Sequence, residues 1–148
     1  MNSAAEAARF FGYLALEAGE FLLYYWPVSV VVLALGLVGL AARWRMRDPP
    51  IRQHLLIFAV PYVVPLAILL AGTLLRYDGP PHPHWREPPA WRGWILFALV
   101  VLNVILVVAA VVIMKRARVR SLAAFLPALW LSLCAYLPSG FAVAGVSP

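Results

Sequence analysis

Four long apolar segments make up most of this chain, and each is close to the length that an α-helix needs to cross a lipid bilayer. A bilayer has a hydrocarbon core about 30 Å thick, which corresponds to about 20 helical residues. The segments cover residues 21–42, 55–75, 94–114 and 123–146. This pattern predicts an all-α integral membrane protein built as a bundle of four membrane-crossing helices.

The composition supports a membrane protein over a water-soluble one. Hydrophobic residues make up 64% of the 148 residues and charged residues only 12%, whereas soluble domains contain about 25% charged residues. A soluble fold of this size has too little interior to bury so much apolar surface. We therefore expect a single membrane domain over residues 1–148, with helices providing the internal hydrogen bonds that the backbone needs in lipid.

Basic residues are concentrated in two short stretches that follow the first and third apolar segments. They are Arg43, Arg45, Arg47, Arg52, Lys115, Arg116, Arg118 and Arg120. Asp48 is the only acidic residue among them, so these stretches carry a net charge of +7 and the rest of the chain −1. Such a segregation is typical of membrane topology and argues against a nucleic-acid partner.

The charge asymmetry predicts the orientation, because cytoplasmic loops of membrane proteins are enriched in Lys and Arg. Both basic stretches are then cytoplasmic, and both termini and the loop 76–91 are outside, which is an N-out/C-out topology. The eight basic residues act in this interpretation as topology anchors that attract anionic lipid head groups.

The first 20 residues precede the first apolar segment and contain both apolar and charged positions. A continuous helix from residue 4 to residue 43 would be about 60 Å long, twice the thickness of the bilayer core. We therefore predict an amphipathic helix at the outer interface or a helical extension beyond the membrane. Gly19 and Pro27 are the two candidate positions for a bend.

Prolines inside the second and fourth segments predict helix kinks. Pro61 and Pro65 lie four residues apart, and Pro127 lies in the inner third of the fourth segment. Broken helices can line a substrate path in transporters, but more often neighbouring helices satisfy the backbone groups that proline frees. Pro138 leaves open whether the fourth segment crosses as one helix or breaks there.

Asn103 is the one strongly polar residue in the middle of the third apolar segment. An amide in hydrocarbon seeks a hydrogen-bond partner on another helix, a contact of about 0.6–2 kcal/mol. The favoured interpretation is an interhelical contact, within the chain or with another subunit. The alternative is a pore-lining or substrate-binding residue.

The outer loop 76–91 contains five prolines and several aromatic residues, a composition that favours an extended, semi-rigid segment. It also contains His82, His84 and Glu87, which are residue types that bind Zn²⁺, Cu²⁺ or Ni²⁺. Two histidines and one carboxylate fall short of the four ligands typical of structural zinc. A docking loop is therefore favoured over a metal site.

No catalytic or cofactor motif is present: the chain lacks GxSxG, Walker A, GxGxxG, HExxH and CxxC sequences. We expect a non-catalytic accessory or scaffold subunit of a bacterial cytoplasmic-membrane complex, without a cofactor. Its expected partners are the lipid bilayer and other membrane-protein subunits, or further copies of itself. The alternative is a small homo-oligomeric channel or transporter, and the third hypothesis is metal handling at the outer surface by the loop 76–91.

The topology can be tested by cysteine labelling in a background that carries Cys134→Ala. A cysteine introduced as Arg47→Cys should react with a membrane-impermeant maleimide only after the cells are permeabilised, because that stretch is expected in the cytoplasm. One introduced as His82→Cys should react in intact cells. The reverse pattern would show that the orientation is wrong.

Overall fold

The structure is a computed structural model that describes residues 4–44, 51–76, 90–113 and 118–145. Of these residues, 96% are helical and none is in a strand, which confirms the all-α prediction. Five helices are present: α1 (Ala4–Tyr24), α2 (Trp26–Trp44), α3 (Ile51–Leu74), α4 (Ala90–Ile113) and α5 (Arg118–Ala144).

Helix α5 is central, since it contacts each of the other four helices. It runs parallel to α3, because Tyr62 lies beside Ala124 near the start of α5 and Gly72 lies beside Ser139 near its end. Tertiary packing therefore places the proline-bearing α5, whose only charged residues are Arg118 and Arg120 in its first turn, at the centre of the bundle.

Helices α2 and α4 run antiparallel to α5. In α4, Val107 and Ala110 cluster with Phe125, whereas Leu96 clusters with Ala135 further along α5. In α2, Ser29 bonds to Trp130, and Gly36 packs against Pro127, which is nearer the start of α5. Consequently the ends of α2 and α4 and the starts of α3 and α5 lie at one end of the molecule, called here the basic end because the basic stretches adjoin it.

The buried apolar residues form two clusters along α5. The larger one joins α1, α3, α4 and α5, and consists of Leu14, Ala18, Val64, Ile68, Leu69, Leu96, Ala135 and Val143. The smaller one lies toward the basic end and consists of Val107, Ala110 and Phe125, with Tyr62 and Leu129 packed against it. Among the side chains of α2 that the structure describes, residues 26–41, none belongs to either cluster.

Helices α1 and α2 meet at a sharp bend of 93°. The bend lies at Tyr25, two residues before Pro27, whereas Gly19 lies inside α1. The physical reason is that Pro27 has no N–H to donate to the carbonyl of Leu23, so the helix cannot continue unbroken through it. The predicted first apolar segment, 21–42, therefore contains the bend rather than starting after it.

Helix α1 packs on the rest of the molecule as an amphipathic helix. Its Leu14 and Ala18 are buried where α1 packs on α3 and α5, while Glu6, Arg9 and Glu20 are exposed. This burial shows that α1 is part of the helical assembly and not a detached extension.

Two of the described helices are long and apolar enough to cross a membrane, namely Ala90–Ile113 and Leu122–Ala144. The bent pair α1–α2 would provide a third span if it crosses as one unit, and the apolar part of α3 that qualifies, Ala59–Leu74, is shorter. The structure thus supports a membrane protein, while a bundle of four crossing helices stays a prediction. Helix α5 continues through Pro138 to Ala144 without a break.

The close approach of α2 to α5 depends on a glycine. A Cβ atom at Gly36 would overlap the ring of Pro127, with Cδ of that ring only 2.9 Å away. A proline ring cannot rotate aside, so either helix would have to move. At Gly19, by contrast, a Cβ atom would have no neighbour within 4 Å.

We predict that Gly36→Ala lowers the free energy of unfolding by about 1–3 kcal/mol, because it overpacks the α2–α5 contact. Gly19→Ala is the matched control and should be neutral or stabilising, because alanine is the better helix former. Thermal unfolding in detergent, followed by circular dichroism, measures both. Equal midpoints for the two variants would contradict the packing of α2 on α5.

Candidate functional site

Asn103 lies on the face of α4 that packs against α5 and is 0% exposed. Its Nδ2 donates to the hydroxyl oxygen of Ser132 at 2.6 Å and to the carbonyl oxygen of Ala128 at 3.3 Å. Both partners belong to α5, so the amide connects the two helices near the middle of their length. This geometry places Asn103 in an interhelical contact, whereas a functional role for the residue stays a prediction.

The other polar atom of the same side chain is unused. Asn103 Oδ1 is buried and accepts no hydrogen bond. A buried acceptor without a donor costs about 1–3 kcal/mol relative to a bonded one. Asn103 is therefore the one buried amide of the described interior that keeps a free acceptor.

Pro127 shapes α5 at the point where it meets both α2 and α3. The proline supplies no N–H to the carbonyl of Ala123 and widens the preceding turn. On the next residue, the carbonyl oxygen of Ala124 accepts a hydrogen bond of 2.5 Å from the hydroxyl of Tyr62 in α3. A neighbouring helix thus donates to the backbone beside Pro127, where the kink stays a prediction.

A second hydroxyl connects α5 to α3 near the other end. Ser139 Oγ donates to the carbonyl oxygen of Ile68 at 3.3 Å. The contact requires a glycine at position 72, where a Cβ atom would lie 2.5 Å from both Cβ and Oγ of Ser139. Pro61 and Pro65 are also buried in α3, so all three sequence-predicted prolines lie in the interior.

The bend between α1 and α2 is connected to α5 by a chain of two hydrogen bonds. Trp130 Nε1 donates to Ser29 Oγ at 3.0 Å, and Ser29 Oγ donates to the carbonyl oxygen of Leu22 at 2.8 Å. The Tyr25 ring packs edge-on against the Trp130 ring, with centroids 6.3 Å apart. The serine hydroxyl therefore satisfies a carbonyl that the broken helix leaves without its usual partner.

Two arginines connect helices at the end opposite the basic end. Arg92 Nη1 donates to the carbonyl oxygens of Leu75 and Arg76, both at 3.2 Å. A cation at a helix C-terminus compensates the unbonded carbonyls and the helix dipole. The Arg76 guanidinium in turn lies over the Phe10 ring, 4.9 Å from its centroid, which connects α1 to the same corner.

Sequence reasoning identified Asn103 and the prolines but missed the other polar contacts. Ser29, Ser132 and Ser139 are short hydroxyl residues inside apolar helices, and nothing in the sequence pairs them with particular neighbours. Tyr62 and Trp130 resembled ordinary apolar or interfacial aromatics. The position of Tyr62 next to Pro61 is no signal for its bond, because Tyr62 donates to Ala124 of α5 and not to a carbonyl that Pro61 frees in α3.

The predicted metal ligands His82, His84 and Glu87 lie outside the described residues, so the metal hypothesis stays a prediction. Within the described ranges, no group of three or more His, Cys, Asp and Glu side chains is close enough to hold a metal ion. Of the eight basic anchors, four lie in the end turns of helices although their side chains are not described: Arg43 in α2, Arg52 in α3, and Arg118 and Arg120 in α5. The other four, Arg45, Arg47, Lys115 and Arg116, fall outside the described residues.

The arrangement is suited to holding helices together. The buried hydroxyl, amide and indole groups described above bond to another helix or across the α1–α2 bend, and none of these groups is a general base or a nucleophile with a base beside it. These contacts connect α5 to α2, α3 and α4.

Comparison of the chain with known protein families, with curated proteins and with solved structures finds no match.

We predict that Asn103 and Ser132 are energetically coupled. In a double-mutant cycle of Asn103→Ala and Ser132→Ala, the coupling energy should be about 0.6–1.7 kcal/mol, the range measured for polar contacts between membrane helices. Unfolding by sodium dodecyl sulfate in mixed micelles measures it. Asn103→Ala combined with Ser29→Ala is the control pair and should be additive, because Ser29 bonds elsewhere; coupling of the same size in both cycles would contradict the contact.

Proposed function

We propose that this protein is a non-catalytic accessory or scaffold subunit of a complex in the bacterial cytoplasmic membrane. The observation that supports the proposal is the exposure of the large apolar side chains of α2. This helix touches α5 through a narrow face that includes Ser29 and Gly36, while its large apolar side chains point away from the molecule. Leu37, for example, is 68% exposed.

An exposed apolar helix of this kind is suited to another protein in the membrane. Interfaces between membrane helices depend on packing rather than on the exclusion of water, so a helix that is apolar on every free side offers a large surface to a neighbour. The interior polar groups are already engaged in holding the five helices together. The surface available to a neighbouring membrane protein is therefore the exposed apolar surface of the helices.

The proposed placement has four crossings, with the basic end in the cytoplasm and both chain termini outside. The helix directions support this placement, because α2 and α4 run toward the basic end and α3 and α5 away from it. The positive-inside asymmetry indicates which end of the bundle faces the cytoplasm, namely the basic end. In this placement, the bend at Tyr25 brings α1 toward the outer interface, where the adjacent tyrosines and Trp26 favour the head-group region.

A homo-oligomeric channel or transporter is the second candidate, and one observation favours it. Asn103 Oδ1 is an unused acceptor halfway along α4, and a permeating solute or ion needs such acceptors inside the membrane. The residue is fully enclosed within a single chain. Access to it would therefore require a rearrangement of α4 against α5.

The composition of the native particle tests the proposal. We expect the tagged protein, expressed at its native level and extracted in lipid nanodiscs, to be recovered in a heteromeric particle of defined mass. Leu37→Ala should weaken recovery of the partner, because it removes exposed surface from α2. Leu70→Ala is the matched control, since Leu70 is 52% exposed on α3, and it should leave the partner bound.

Recovery of the chain alone, or equal loss of the partner in both variants, would contradict an accessory role that acts through α2. A particle containing only copies of this chain would favour the homo-oligomeric channel or transporter instead. In that case solute or ion flux in proteoliposomes should fall in Asn103→Leu, and absence of flux from the parent protein would remove the channel as well.

A further inference from the structure

One side of α5 carries an apolar stripe that no described helix covers. It consists of Leu122 and Leu133, which are 46% and 47% exposed, with the half-buried Leu126 between them. Because 11 residues are close to three helical turns, Leu122 and Leu133 lie on the same face, about 16 Å apart along the axis. We call these three residues the α5 stripe.

The stripe lies between α2 and α4. Around the circumference of α5, the positions that contact α3 are followed by those that contact α4, such as Phe125 and Ser132. The stripe comes next, and the positions that contact α2, Pro127 and Trp130, complete the circle. Within the described residues α2 and α4 do not touch each other, so they form the two walls of an apolar groove whose floor is the stripe.

The groove opens at the basic end of the molecule. Helix α2 ends there at Trp44 and α5 begins there at Arg118. The terminal turns of these two helices contain Arg43, Arg118 and Arg120, three cations with no acidic residue among the adjoining helical positions. The apolar groove thus ends beside helix turns whose sequence is basic.

We propose that this groove is a binding site for one anionic phospholipid of the leaflet at the basic end. An acyl chain lies along the α5 stripe between α2 and α4, and the phosphate head group lies among the basic turns at the ends of α2 and α5. The stripe is about 16 Å long, which matches the depth of one leaflet, half of a hydrocarbon core of about 30 Å. Arginine binds phosphate well because its planar guanidinium donates two parallel hydrogen bonds.

The charge distribution favours a lipid in this groove over a second copy of the chain. The two basic stretches carry a net charge of +7, and a second copy docked here in the same orientation would bring an equal charge alongside. Like charges repel at this range, and an anionic head group instead lowers the local charge. The proposal rests on the membrane placement described above, but it does not depend on the identity of any protein partner.

Lipid retention by the purified full-length protein tests the site. The protein is reconstituted in nanodiscs that contain equal amounts of phosphatidylglycerol and phosphatidylcholine. Native mass spectrometry then counts the lipid molecules that stay bound when the protein is released from the nanodisc. We expect one phosphatidylglycerol per chain. Arg43→Gln combined with Arg118→Gln should reduce its retention about 30-fold, the factor implied by two cations near an anionic head group.

A plug in the groove tests the acyl chain separately from the head group. Leu133→Trp fills the end of the stripe that is farther from the basic end and should also abolish retention, and Leu122→Trp repeats the test at the end nearer the basic end if the first variant does not fold. The matched controls are Arg52→Gln, which removes one cation at the start of α3 and is compared with Arg43→Gln alone, and Leu70→Trp, which enlarges an exposed residue of α3. Both controls should keep the lipid, and circular dichroism checks that all variants fold.

Three results would overturn the proposal. They are equal retention of the two lipids by the parent protein, an effect of Arg52→Gln as large as that of Arg43→Gln alone, and unchanged retention in a folded tryptophan variant. The second result would indicate general attraction to a basic surface. Cysteine labelling of Arg47→Cys and His82→Cys detects a wrong membrane orientation independently. Failure of the lipid site and failure of the membrane placement can therefore be distinguished.

Discussion

Hydrogen bonds that converge on α5 are the interactions on which the rest of the structure depends. A bilayer interior has no water to satisfy a polar group, so each such group needs a partner within the protein. Tyr62 of α3, Asn103 of α4 and Ser29 of α2 each bond to a residue of α5, and Ser139 of α5 bonds back to α3. These bonds are directional, and they therefore set the position of each helix along the axis of α5. Apolar packing alone specifies that position only weakly.

The same contacts explain where small residues occur in the helices. Gly36 and Gly72 lie where α2 and α3 come closest to α5, and the two glycines face Pro127 and Ser139. A proline in α5 thus has two effects, since it disturbs the backbone of its own helix and occupies the space that a glycine leaves on the next. Several buried residues of α5 are small, which lets the neighbouring helices approach it: they are Ala124, Ala128, Ser132, Ala135 and Ser139.

The bend at Tyr25 has consequences for the outside of the protein. Because Ser29 and Trp130 hold the bend against α5, α1 is directed across the bundle and covers α3 and α5 with Leu14 and Ala18. Helix α2 is left on the other side of α5 with apolar surface on its free sides. This division leaves open the groove beside α5 and presents the surface through which an accessory role would operate.

Part of this arrangement was readable from residue patterns. The apolar segments predicted helices, and the structure confirms an all-α chain with helices that fit a membrane. Pro27 was one of two predicted bend positions, and the bend lies two residues before it. Asn103 was predicted to seek another helix, but the sequence named no partner, because Ser132 is one of several serines in apolar surroundings. The contacts of Arg92 with Leu75 and Arg76 were not predicted, since they depend on how α3 ends beside the start of α4.

Hydrophobicity and charge along the chain are enough to predict the helical class, the suitability for a membrane and the segregation of basic charge. The tertiary structure decided which helix is central, how α1 turns away from α2, and which face of α5 stays open. Those features depend on shape complementarity and on the direction of individual hydrogen bonds between residues far apart in the chain. Almost every face of such apolar helices is equally hydrophobic, so the order of residues carries little information about which faces meet.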